Sequence, residues 1–143
     1  MNHCRAVFVI AALASALLSA AQRAEADVVV RVDRASQTMD VSIDGADLYR
    51  WPVSTAKPGY LTPPGVFHPQ WMVVRWFSRI YDNSPMPHSI FYYSGFAIHG
   101  SYETRRLGAP ASHGCIRLHP DNAAILYDLI EREGMKNTTI IVQ

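Results

Sequence analysis

The chain reads as a mainly β domain with one late helix, an α+β class packed as a compact β-sandwich or barrel-like unit. Three observations predict this. Short runs of β-branched and alternating apolar residues recur along the chain, Pro- and Gly-rich loops separate them, and only one stretch, between Pro120 and Gly134, carries helix start and stop signals.

The elements follow in order. Val28–Asp33 is a β-branched run, and Thr38–Ile43 alternates apolar and polar residues, as a half-buried strand does. Asp44-Gly45 is a hairpin turn signal, with Asp47–Val53 as the return strand. Residues 54–70 hold Pro58, Gly59, Pro63, Pro64, Gly65 and Pro69, so a loop is expected, broken by a short extended piece at Val66–His68. Met72–Phe77 and Ile90–Ile98 read as two more strands around the Pro85/Pro87 loop. The helix begins at Pro120, which suits a first turn, with Asp121 at the positive end of the dipole and Gly134 as its stop. Its apolar stripe is expected at Ala124, Ile125 and Leu129, joined by Leu126 and Tyr127, with Asp128, Glu131, Arg132 and Glu133 in water. Asn137–Val142 closes the sheet.

The first 26 of the 143 residues stand apart. Arg5 is followed by an uncharged run, Ala6–Ala21, and then by Ala24-Glu25-Ala26 before Asp27. A basic start, a short apolar run and a small-x-small site make a secretory signal peptide. The run is short of the about 20 apolar residues a membrane span needs, although an uncleaved anchor is the competing reading. Cys4 precedes the run, whereas a lipid-modified cysteine would follow it. Residues 27–143 then form one domain, exported to the periplasm or cell wall and large enough for a core without disulfides. Setting aside Arg5, Arg23 and Glu25 leaves equal numbers of basic and acidic side chains. That balance argues against nucleic acid and against an electrostatic membrane-surface role.

Cys115 is the single cysteine of the expected mature chain. An exported lone thiol cannot staple the fold, and its flanks, Ser112-His113-Gly114 before and Ile116-Arg117 after, suit a nucleophile better than a buried hydrophobe. A thiol attacks as thiolate, so an imidazole must supply the base. Two candidates exist: His113, at i−2 on the same face of an extended segment, and His99, at the end of the Phe96–Ile98 run. The residues alone leave that choice open. Gly114 allows close approach of a substrate, backbone N–H groups near Cys115 can form an oxyanion hole, and Arg117 can hold a carboxylate through two parallel hydrogen bonds. A plain surface ion pair is the other reading of Arg117. Of the remaining histidines, His68 and His88 are expected as solvated loop residues and His119 as a helix-entry residue. No C-x-x-C or H-E-x-x-H spacing occurs, so neither zinc nor another cofactor is expected.

Ile98-His99-Gly100 followed by Gly108-Ala109-Pro110-Ala111-Ser112-His113-Gly114-Cys115-Ile116-Arg117-Leu118 closely resembles the signature of the L,D-transpeptidase catalytic domain (YkuD-type) family. Ser54-Thr55-Ala56 and Thr62–Phe67 resemble its lead-in, and the likeness runs from about Val28 to Val142. It implies an enzyme of peptidoglycan stem peptides. Its cysteine attacks the carbonyl at the L-centre of the third residue, releases D-alanine and passes the acyl group to an amine. The resemblance makes Cys115 the nucleophile and His99 the proton carrier, with the Gly100 carbonyl orienting its ring. Ser112, His113, Gly114 and Arg117 become substrate-facing and oxyanion positions, and carbapenems become candidate acylating inhibitors. Arg117 departs from the asparagine common in relatives, which bears on acceptor preference. A hydrolase on the same scaffold, a murein carboxypeptidase or amidase, and a silent wall-binding module are the alternatives. Intact Cys115 and His99 speak against the silent one.

Overall fold

In the computed structural model, residues 26–143 are described; the expected signal peptide and Cys4 lie outside them, apart from Ala26. Val28, Val30 and Val32 are fully buried on strand β1 (Val28–Asp33), while Arg31 between them is exposed. That alternation puts β1 at the centre of its sheet. It pairs antiparallel with β2 (Thr38–Ile43) and parallel with β9 (Thr138–Val142). The turn at Asp44 (φ 49°) and Gly45 (φ 81°) returns the chain as β3 (Ala46–Pro52), and β4 (Gly65–Phe67) adds to the far side of β9. The first sheet therefore runs β3-β2-β1-β9-β4.

The second sheet runs β5-β6-β7-β8, from Trp71–Val73, Ser89–Tyr93, Phe96–Gly100 and Ile116–Leu118. Helix α1 (Pro120–Glu133) packs on β6 and β7. Ile90, Ile98, Ile116 and Leu118 from this sheet meet the valines of β1, with Ile140 of β9 and Leu126 and Ile130 of α1, in one buried core. Each such side chain withdrawn from water contributes about 1.5–3 kcal/mol. Two packed sheets with one helix bear out the predicted class. Among the described residues no helix is long and apolar enough to cross a membrane.

Three expectations need correction. Ile90–Ile98 is not one strand but a hairpin, turned at Ser94 (φ 40°) and Gly95 (φ 85°) with a bulge at Tyr92. Two successive positive φ angles match the right-handed twist of the flanking strands. The strand expected at Met72–Phe77 stops at Val73, and the chain makes a loop closed by Met86 N–H to the Trp76 carbonyl (2.8 Å) and by a bridge between Phe77 and Pro85. The helix buries Ala123, Leu126, Tyr127, Leu129, Ile130 and Glu133, whereas Ile125 points outward. Glu133 is 3% exposed rather than in water, and it accepts from Arg132 Nε at 2.8 Å.

Candidate active site

Strands β7 and β8 are parallel neighbours, and their register sets the site: Ile98 stands opposite Ile116, His99 opposite Arg117, Gly100 opposite Leu118. Ile98, Ile116 and Leu118 point into the main core. Alternation sends Ala97, His99, Cys115 and Arg117 to the other face. There Cys115 packs against a separate small cluster of Met86, Phe91 and Ala97. Cys115 and His99 are thus diagonal neighbours on adjacent strands. Such positions lie about 7–8 Å apart at Cα, within reach of an imidazole.

His99 is held on two sides. Its Nδ1–H donates to its neighbour's carbonyl, Gly100 O, at 2.7 Å. That bond puts the proton on Nδ1 and leaves the Nε2 lone pair free. Gly100 in turn donates its N–H to Pro87 O at 2.8 Å. A Cβ at Gly100 would lie 3.0 Å from Pro120 Cα and from Pro87 Cγ, so a larger residue there must push its neighbours aside. Burial of the ring (6% exposed), with Arg117's charge adding to it, lowers the His99 pKa to about 4, against the opposing bond to Gly100. The imidazole is neutral at physiological pH. Burial likewise pushes the Cys115 thiol up, and the Ala97 backbone hydrogen bond and the Arg117 charge pull it back in part. Burial thus favours the neutral thiol at Cys115 and the neutral imidazole at His99, and a neutral imidazole keeps one nitrogen able to accept a proton.

The loop carrying Ser112 and Gly114 is tied to segment 54–62 by a chain of hydrogen bonds. Gln37, at φ 55° in the turn between β1 and β2, donates from Nε2 to Thr55 Oγ1 (2.6 Å) and accepts from Thr55 N–H (2.9 Å). Thr55 O accepts from the N–H groups of Ala111 and Ser112 at 2.9 and 3.0 Å. Ser54 pairs with Arg117 backbone to backbone. Ser112 Oγ accepts from Gly114 N–H (3.0 Å), and Thr62 Oγ1 donates to Gly114 O (2.8 Å). Gly114 has φ 138°, and a Cβ there would fall 2.4 Å from the Phe96 ring and 2.9 Å from Leu61 O. Only glycine lets the chain turn from the loop into Cys115.

His113 sits between two tyrosines. Its ring stacks on Tyr81 (4.0 Å, 8°) and meets Tyr60 edge-on (4.8 Å). Its pKa is lowered by desolvation, then by the charges of Lys57 and Arg117, with Glu103 opposing. Arg117 Nη1 donates to Glu103 Oε2 at 2.8 Å. The arginine side chain is largely covered while the glutamate is 67% exposed, so this pair is weak and a second carboxylate can compete for the guanidinium.

All seven residues singled out from the sequence therefore fall on β7, β8 and the loop before β8. Thr55 and Thr62 lie in the stretches that resemble the family's lead-in, whereas Gln37, Tyr60, Tyr81 and Glu103 were missed. None lies in a spacing that local patterns flag, since each reaches the site through tertiary contact. The other histidines are placed differently from one another. His68 Nδ1 donates to Thr138 O (2.7 Å), His119 Nδ1 caps α1 at Asp121 N–H (3.2 Å), and His88, expected in solvent, packs its ring on Tyr127. Among the described residues no group of three His, Cys, Asp or Glu side chains is placed to hold a metal.

A family model described as the L,D-transpeptidase catalytic domain matches residues 27–142. Among solved structures, an L,D-transpeptidase from Mycobacterium smegmatis is 31% identical, with TM-score 0.72, covering 82% of this chain and 59% of its own. One from Stackebrandtia nassauensis is 26% identical with TM-score 0.70, covering 90% of this chain and 61% of its own. LdtMt1 in complex with imipenem is 26% identical with TM-score 0.70, covering 82% and 59%. The chain thus spans about 60% of the length of these structures. A search of curated proteins found no match.

Proposed function

Because the chain belongs to the L,D-transpeptidase catalytic domain family, we propose that it is an exported, cofactor-free cysteine acyltransferase of peptidoglycan. The observation that carries this reading is the β7–β8 register, which sets His99 on the strand beside the Cys115 segment, with His99 Nδ1–H fixed on Gly100 O so that Nε2 is free to accept. Cys115 Sγ attacks the carbonyl carbon at the L-centre of the third stem residue as its proton passes to His99 Nε2. The tetrahedral intermediate collapses, the bond to the terminal D-alanine breaks, and the departing amine takes that proton. A thioester remains on Cys115; an acceptor amine attacks it and gives a proton to His99, the C–S bond breaks, and the Cys115 sulfur takes that proton back from His99.

Ser112 and Gly114 adjoin the thiol, and we assign their hydroxyl and amide to the developing oxyanion. The amide is held by Ser112 Oγ at rest, so it turns to the oxyanion only when that bond opens. Arg117 lies beside His99 and offers its guanidinium to a substrate carboxylate in place of Glu103. His113, clasped by Tyr60 and Tyr81, shapes the substrate approach. LdtMt1 binds imipenem, and a strained lactam presents the same electrophile, so carbapenems are expected to acylate Cys115. Residues 1–26 act as the cleaved signal peptide in this account, which puts the enzyme in the periplasm or cell wall with the mature N-terminus near Asp27. Purified protein incubated with disaccharide-tetrapeptide tests the activity by mass spectrometry. A dimer joined through two L-centres supports the proposal, tripeptide alone makes the protein a carboxypeptidase, and an unchanged substrate leaves a wall binder.

A further inference from the structure

The charge balance of the whole domain conceals a segregation. From Ser54 to Arg117, the part that builds the site, the chain carries six basic and two acidic side chains; the other described residues carry five basic and nine acidic. Two surface depressions lie in the basic part. One of about 270 Å³ is lined by Tyr102, Glu103, Thr104, Arg105 and Arg106, the other of about 200 Å³ by Arg75, Trp76, Phe77, Pro85, Pro87 and Tyr102. They share Tyr102 and so lie side by side; taken together as a trough, they carry Arg105 and Arg106 on one part and Arg75 on the other. Among the described residues Arg75, Arg105 and Arg106 have no ion-pair partner. Tyr102 and Phe77 are 68% and 50% exposed, offering ring faces to a ligand. Glu103, on the wall of this trough, is the carboxylate that holds Arg117.

Arginines without an ion-pair partner among the described residues line both parts, with Tyr102 between them and the carboxylate-paired Arg117 beyond Glu103, and this composition fits an extended ligand carrying several carboxylates. We propose that this trough is a binding site for the stem peptide's carboxylate-bearing portion, and that it selects stems whose carboxylates are free rather than amidated. The inference rests on the transpeptidase reading for the identity of the ligand, not for the chemistry of the trough. Arg75 and the Arg105–Arg106 pair hold carboxylates away from Cys115, Tyr102 covers the peptide between them, and the chain enters the thiol site past Arg117. A phosphodiester polymer would use the same charge. The peptide is favoured because the trough adjoins Arg117, whose present partner is already a carboxylate.

Binding to the full chain carrying Cys115→Ala separates this inference from turnover. Calorimetric titration with a tetrapeptide bearing free carboxylates, and with the same peptide amidated, is expected to give about fivefold tighter binding of the free form for each carboxylate engaged. The difference should shrink as salt rises from 50 to 500 mM. The triple substitution Arg75→Gln, Arg105→Gln, Arg106→Gln should make the two peptides bind alike, and each single substitution should remove part of the preference. Equal affinities in the unsubstituted trough would overturn the proposal, as would a preference that survives the triple substitution. Displacement of the peptide by polyglycerol phosphate at lower concentration would reassign the site to a phosphodiester ligand. Should the Cys115 protein never turn over either peptide while these affinities still differ as stated, acyl transfer fails and the carboxylate site stands.

Discussion

His99 is buried as a neutral imidazole, and that has a measurable cost in acid. Its pKa is about 4 in the folded protein against 6.5 for an ordinary histidine. Between pH 6.5 and 4 the unfolded chain therefore binds a proton at this residue that the folded chain refuses. Stability rises with pH across that window and is lost as pH falls through it. Moving a pKa from 6.5 to about 4 is worth about 3 kcal/mol. No discount for solvent screening applies, since the ring is 6% exposed. His99→Gln keeps a donor for Gly100 O and removes the titration. Urea unfolding of both proteins at pH 7.5 and pH 4 should show the wild type losing about 3 kcal/mol more than the variant. His113, whose pKa is also lowered, is present in both and cancels. Equal losses in the two proteins would show that His99 is not held neutral by burial, and the argument for a free Nε2 acceptor would go with it.

Gly114→Ala drives a methyl group into the Phe96 ring and Leu61 O at φ 138°; it should displace the loop and slow carbapenem acylation of Cys115 at least tenfold, followed by intact-protein mass. Gln37→Asn tolerates the positive φ but cannot span to Thr55, leaving buried polar groups unpaired; a loss of about 1–3 kcal/mol in chemical denaturation is expected. His99→Ala should cut carbapenem acylation by about 10²–10⁴-fold, whereas His113→Ala should leave alkylation by iodoacetamide, a reagent needing no pocket, near the wild-type rate. The reverse pattern would transfer the base to His113.

The sandwich was legible because its central strands carry their own signals. Val28, Val30 and Val32 alternate with polar or partly exposed neighbours, Asp44-Gly45 marks its turn, and Pro120 and Gly134 bracket the helix. The Ser94-Gly95 turn was hidden in an aromatic run, where Tyr93 and Phe96 continue a strand pattern on both sides. The helix face was misread because a buried carboxylate looks solvated in sequence. Glu133 sits in the stripe, where Arg132 and the N–H of Ala26 meet its carboxylate. Motif spacing singled out Cys115, His99 and Arg117, all three of which the fold gathers on or beside β7 and β8. It did not choose between the histidines from residues alone. The proposal of His99 draws on the β7–β8 register and on two tyrosines, Tyr60 and Tyr81, that meet the His113 ring from distant loops. Gln37 was invisible for the same reason: its partner Thr55 is brought to it by the fold.

The central claim is that Cys115 carries the acyl group between donor and acceptor. Intact-protein mass spectrometry of the wild type and of Cys115→Ala, quenched in acid during incubation with tetrapeptide and no amine acceptor, tests it directly. The account predicts a wild-type adduct equal to the peptide acyl group without its terminal alanine, located by digestion on Cys115 and absent from the variant. An adduct that persists in Cys115→Ala, or release of D-alanine by that variant at the wild-type rate, would contradict it.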